Sequence, residues 1–140
     1  LENSDNTGQL YLDLNVNMNV ANLEKLIKVI KKLKLCSRIP EPIENILDES
    51  IREKWINEKN ALVFTVVSND GLLQIDIFLK YPISFEKLKL NADYYEIDGN
   101  KFLISSKKDL IFAKKQIDPI RKKDQWDIEV LEELIENEKK

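Results

Sequence analysis

Two carboxylates stand where carboxylates are unusual. Asp13 lies within a run that alternates apolar and polar residues from Leu10 to Val20, on its polar side. Asp76 interrupts the otherwise apolar run from Ile75 to Phe78. Aspartate is a poor strand former and is costly to bury without a partner. If the two strands are neighbours, the carboxylates converge on one hard divalent cation, Mg2+ or Mn2+, because oxygen donors suit those ions. The simpler alternative leaves each aspartate solvated or paired with a lysine. A second group is cationic. Lys114, Lys115, Arg121 and Lys123 can reach phosphate oxygens. Asp124 and Asp127 follow at the start of a helix, where negative charge complements the dipole. Capping is a sufficient explanation for Asp124.

The residues that are missing narrow the chemistry. The 140-residue chain has no histidine, which excludes His-based acid–base work, Ser-His-Asp triads and most zinc sites. Cys36 is the only cysteine, so no disulfide can form within the chain, and it reads as an inert buried thiol after an apolar helix. Gly8, Gly71 and Gly99 are the only glycines and lie far apart, so no Gly-rich phosphate loop can be built. No apolar run approaches the roughly 20 residues of a membrane span. The start of the sequence lacks the basic and apolar stretches of a signal peptide, and the expected compartment is the cytoplasm. Net charge is −3, yet residues 101–123 hold eight basic side chains against two acidic ones, a net of +6. Such a stretch attracts phosphates, or is simply a solvated helix face and loop.

These side chains need elements to carry them. The period of two from Leu10 to Val20 predicts a strand with one buried face. From Asn22 to Leu35 the period becomes helical, with Leu23, Leu26, Ile27, Ile30 and Leu33 on one stripe and Asn22 as a cap. Pro40 and Pro42 mark a connector. A short helix is expected from Asp48, capped by Asp48 or Ser50, with Ile51, Trp55 and Ile56 inward. Residues 61–67 read as a central strand, Asn69-Asp70-Gly71 as a hairpin turn, and 72–80 as the returning strand. Residues 82–90 suggest a helical turn. Short strands flank Asp98-Gly99, Ser106 caps a helix over 107–116, and a loop over 117–123 leads to a last helix, 124–140. Trp55 and Trp126 read as core or half-buried anchors. The order predicts one α/β (α+β) domain over residues 1–140, a mixed sheet with helices packed on it and a flexible stretch over 1–9.

Several of these segments, in this order, resemble small bacterial nucleotidyltransferases of the DNA polymerase β type, including the toxin–antitoxin and abortive-infection class. The segments are Leu12-Asp13-Leu14 followed by Asn22 to Leu26, residues 48–64, Gln74 to Phe78, Pro82 to Leu88, residues 105–114, and Arg121 to Ile128. The resemblance implies a nucleotidyltransferase-like mixed sheet. It also implies a strand bearing Asp-x-Asp and a later strand bearing a third Asp. Together these hold two divalent ions that activate a hydroxyl and steady the phosphates during in-line transfer. Position by position, the first Asp falls on Tyr11, the second on Asp13 and the third on Asp76. Lys114, Arg121, Lys123, Asp124 and Asp127 fall in the basic and acidic stretch near the nucleotide.

Two positions differ from that pattern. Tyr11 stands where a metal-binding carboxylate is expected, and a phenol with a reference pKa near ~10 is a poor ligand for a hard ion at neutral pH. The family also carries a Gly-Gly or Gly-Ser turn before the first Asp, where backbone N–H groups cradle the triphosphate. Here residues 1–9 precede the strand and hold Gly8 alone. The expectation is a degenerate or truncated nucleotidyltransferase-like protein with weak or no transfer. One alternative is an active Mg2+-dependent enzyme moving a nucleotide from an NTP to an RNA or protein hydroxyl, with Asp13 and Asp76 on the metal and Lys114 on phosphate. The other is a non-enzymatic module that binds nucleic acid or protein through residues 101–123.

Overall fold

In a computed structural model the described residues are 8–116 and 121–138. They form a mixed α/β structure with five α-helices, a four-stranded mixed sheet and a two-stranded sheet. The chain divides into two compact units, residues 1–80 and residues 81–140. Among the described residues no helix is long and apolar enough to cross a membrane.

The first unit is built on a sheet of β1 (Leu10–Leu14), β2 (Cys36–Ser37), β3 (Val63–Val67) and β4 (Leu73–Phe78), in the order β1-β4-β3-β2. β1 runs parallel to β4, whereas β3 is antiparallel to both neighbours. Alternation sorts the side chains. Leu12, Leu14, Phe64, Val66, Ile75 and Ile77 face the core. The stripe Leu23, Ile27 and Ile30 of α1 (Val20–Lys32) is buried in the same cluster, together with Leu35, Ile46 and Trp55. Trp55, on α2 (Glu49–Lys59), stacks on Phe64 with ring centroids 5.3 Å apart. Asp48 caps α2, its Oδ1 accepting from the backbone N–H groups of Ser50 and Ile51.

The first strand ends earlier than its alternation predicts. Beyond Leu14 the asparagines offer the backbone other partners. Asn17 Oδ1 accepts from Asn19 N, and Asn19 Oδ1 accepts from Asn22 N at 2.7 Å. Asn19, three residues upstream of the expected cap, therefore starts α1, while Val16 and Met18 still pack on the core. Cys36 is exposed, contrary to the buried thiol expected. Leu35 takes the core position and edge strand β2 turns Cys36 outward. The β3–β4 turn uses Gly71 at φ +73°, and Asp70 Oδ1 accepts from Ser68 Oγ and Leu72 N.

The second unit begins with α3 (Phe85–Asn91), capped by Ser84. A hairpin of β5 (Asp93–Ile97) and β6 (Asn100–Ile104) follows. Asp98 and Gly99 both have positive φ, as a two-residue type I′ turn requires. Then come α4 (Lys107–Lys115), capped by Ser106 as expected, and α5 (Lys122–Glu138), which starts two residues before the expected Asp124. Trp126 is 62% exposed rather than an anchor, because it lies on the side of α5 away from buried Asp124 and Ile128. The expected loop lies outside the described residues from Ile117 to Ile120, as do residues 1–7 of the expected flexible start. Gln9 is tied down, its Nε2 donating to Gly71 O at 2.8 Å.

Candidate functional site

The parallel pairing of β1 with β4 sets Asp13 directly opposite Asp76. Neighbouring strands lie about 4.8 Å apart, so the two carboxylates share one patch of the sheet face opposite the core. Asp13 is exposed and Asp76 half-buried. The next strand contributes Thr65, the register partner of Asp76, whose Oγ1 donates to Asp76 Oδ1 at 2.6 Å. Gln74 Nε2 approaches the same oxygen at 3.4 Å. Tyr11 lies on this face two residues before Asp13, opposite Gln74, and its hydroxyl donates to Gln9 Oε1.

Like charges placed directly opposite on adjacent strands repel, and a bridging cation removes that penalty. Two carboxylates on one patch fit a single hard divalent ion. Among the described residues no group of three or more acidic, histidine or cysteine side chains could hold a metal. Tyr11, two residues before Asp13 on this face, contributes a phenol and not a carboxylate. The two carboxylates alone fall short of a group of three metal ligands.

The other expected site residues lie in the second unit, where α4 and α5 hold an ion-pair cluster. Arg121 clasps Asp124 through Nε to Oδ2 at 2.6 Å and Nη2 to Oδ1 at 3.2 Å. Lys114 Nζ lies 3.0 Å from Asp127 Oδ2 and 3.7 Å from Asp124 Oδ1. Asp124 is 1% exposed. The Arg121 guanidinium holds its carboxyl below the usual range, against the opposing effect of burial, with help from Lys114. Asp124 raises Arg121 in turn. The cluster is neutral, with two cations against two anions, so Lys114 and Arg121 are committed to Asp127 and Asp124. This replaces capping as the reason for an aspartate at 124. Lys123 is exposed and forms no ion pair among the described residues.

The basic run is compensated more widely. Lys107 pairs with Glu138 and Lys115 with Glu132. The condition set from sequence, that the strands of Asp13 and Asp76 be neighbours, is met by the β1–β4 pairing, whereas Thr65 and Gln74 beside Asp76 were not anticipated. The polar positions in the β3 and β4 alternation were their signal. Comparison with protein-family models, with curated proteins and with solved structures gave no match. The chemistry of these side chains therefore carries the functional argument.

Proposed function

We propose that this protein is a nucleotidyltransferase-like domain that transfers nucleotides weakly or not at all. The observation that supports this reading is the register of β1 against β4, with Asp13 opposite Asp76 and Tyr11 two residues upstream on the same face. Asp13 and Asp76 would hold one Mg2+ or Mn2+, which when bound supplies a positive charge for phosphate oxygens. Thr65 orients the Asp76 carboxylate toward that role through its hydrogen bond. Tyr11 gives no charge to a second ion, so activation of an acceptor hydroxyl has no support on this face. The substrates of an ancestral reaction would be an NTP and an RNA or protein hydroxyl, and the compartment is the cytoplasm.

A purely nucleic-acid-binding role ranks second. Lys107, Lys114, Lys115 and Arg121 have acidic partners, so the net +6 read from the segment is not available to phosphates. Calorimetric titration with MgATP and MgCTP tests the proposal. No micromolar binding is expected, and incubation with labelled NTPs, RNA and protein acceptors should leave acceptors unlabelled or faintly labelled. Micromolar, Mg2+-dependent binding with efficient labelling that Asp76→Ala abolishes would establish the active enzyme instead.

A further inference from the structure

Two helices carry an outward row of like charges. On α1 the side away from the buried Leu23, Ile27 and Ile30 presents Lys25, Lys28 and Lys32, all exposed. On α5 the side away from Asp124 and Ile128 presents Glu129, Glu133 and Glu136, also exposed. None of these six forms an ion pair among the described residues, whereas their neighbours Lys31 and Glu132 do. Glu129 accepts from the neutral amide of Gln125, one turn earlier on its own helix.

The rows match in spacing as well as in sign. The lysines stand three and then four residues apart, the glutamates four and then three. Laid antiparallel, the two helices therefore set Lys25 against Glu136, Lys28 against Glu133 and Lys32 against Glu129. Each row spans about 10.5 Å at the rise of an α-helix. Each also has an apolar flank on the same side. Val29 and Leu33 follow Lys28 and Lys32 by one residue, and Val130 and Leu134 follow Glu129 and Glu133 by one residue. Val29, Leu33 and Leu134 are 51%, 52% and 44% exposed. Equal offsets bring the two flanks together when antiparallel helices face each other.

We propose that this protein self-associates, with α1 of one copy lying antiparallel on α5 of a second. The apolar flanks supply burial, and the charged rows fix direction and register, as flanking charges do in helix pairs generally. A second copy fits better than a foreign partner because the chain itself supplies both halves at matching spacing. A nucleic acid would meet the lysines, but it would leave Val29 and Leu33 in water and the glutamates of α5 without a counterpart. The contact is heterologous, one face of each kind per copy. A single helix pair is smaller than the roughly 800 Å² per partner of a standard complex, so the association is weak, with a Kd on the order of 0.1 mM. The inference is independent of any metal on the sheet face.

Sedimentation equilibrium of the full chain up to about 0.5 mM tests it. In about 50 mM salt the average mass should rise with concentration above that of one chain, and in about 500 mM salt the rise should shrink, because exposed charges are screened. Lys28→Glu and Glu133→Lys should each weaken association about fivefold, since one attractive pair becomes repulsive. Both substitutions place opposite charges four residues apart on their own helix, so the helices stay formed. The double variant Lys28→Glu/Glu133→Lys restores opposite signs across the contact and should associate as the parent does, a recovery that a damaged fold cannot give. A parent that remains a single chain, association indifferent to salt or to either substitution, or a double variant no better than the singles would overturn the proposal. A single-chain parent that binds RNA through Lys28 would overturn it too, and would give the lysine row to nucleic acid.

Discussion

Asp124 is 1% exposed, yet its charge is met from two sides by Arg121 and Lys114. Arg121 is largely exposed and Lys114 keeps Asp127, so removing the Asp124 charge loses charge-assisted hydrogen bonds worth about 1–2 kcal/mol. Asp124→Asn should therefore lower the urea midpoint at pH 7 by that order. The effect depends on pH. The folded carboxyl titrates below its unfolded value of about 3.9, so its contribution is complete above that pH and disappears as pH falls through the folded value. The gap in stability between parent and variant should close as the pH falls from about 3.9 through the lower folded value. A gap that persists below that value would assign the loss to shape and not to charge. The type and spacing of Arg121, Asp124 and Asp127 were visible in the sequence. Their purpose was not, because helix-start geometry explained Asp124 without burial, and burial arises only from the packing of α4 on α5.

At the scale of elements, local rules succeeded where one residue type dominates and failed where two compete. Ser106 and Asp48 cap the helices that follow them because nothing nearby offers a better acceptor. The alternation from Leu10 to Val20 was read as one long strand, but asparagine side chains at 17, 19 and 22 closed a local network and ended the ladder at Leu14. Pro40 and Pro42 mark a connector, and the short strand Cys36–Ser37 just before them, paired with β3, has no signal of its own in the sequence. Helix α5 carries Lys122 and Lys123 at its start and no basic residue in its last turn, the reverse of what the dipole favours. Glu136→Lys should raise stability by about 0.5 kcal/mol, read as a small rise in Tm. A fall in Tm would mean that Glu136 serves a contact more valuable than the dipole.

For the molecule as a whole, the mixed α/β architecture was legible because apolar periods of two and of 3.6 alternate along the chain. The pairing order β1-β4-β3-β2 was not, since the sequence marks strands and turns but leaves open which edge a returning strand joins. That order decides which side chains meet on the sheet face. It places Asp13 beside Asp76 although 62 residues separate them, and it sets Thr65 next to Asp76. Charge tells a similar story. The net +6 of residues 101–123 looked like a docking surface in one dimension, whereas the folded second unit sets acidic side chains of α5 against four of those cations.

On the function proposed above, Asp13 and Asp76 would hold one cation, with Tyr11 standing where a third carboxylate would be. Titrating Mn2+ into the parent and into Tyr11→Asp tests it most directly. Weak binding of one ion to the parent is expected, and at least tenfold tighter binding, with room for a second ion, in Tyr11→Asp. Equal Mn2+ affinity in the two proteins, each confirmed folded by circular dichroism, would contradict it.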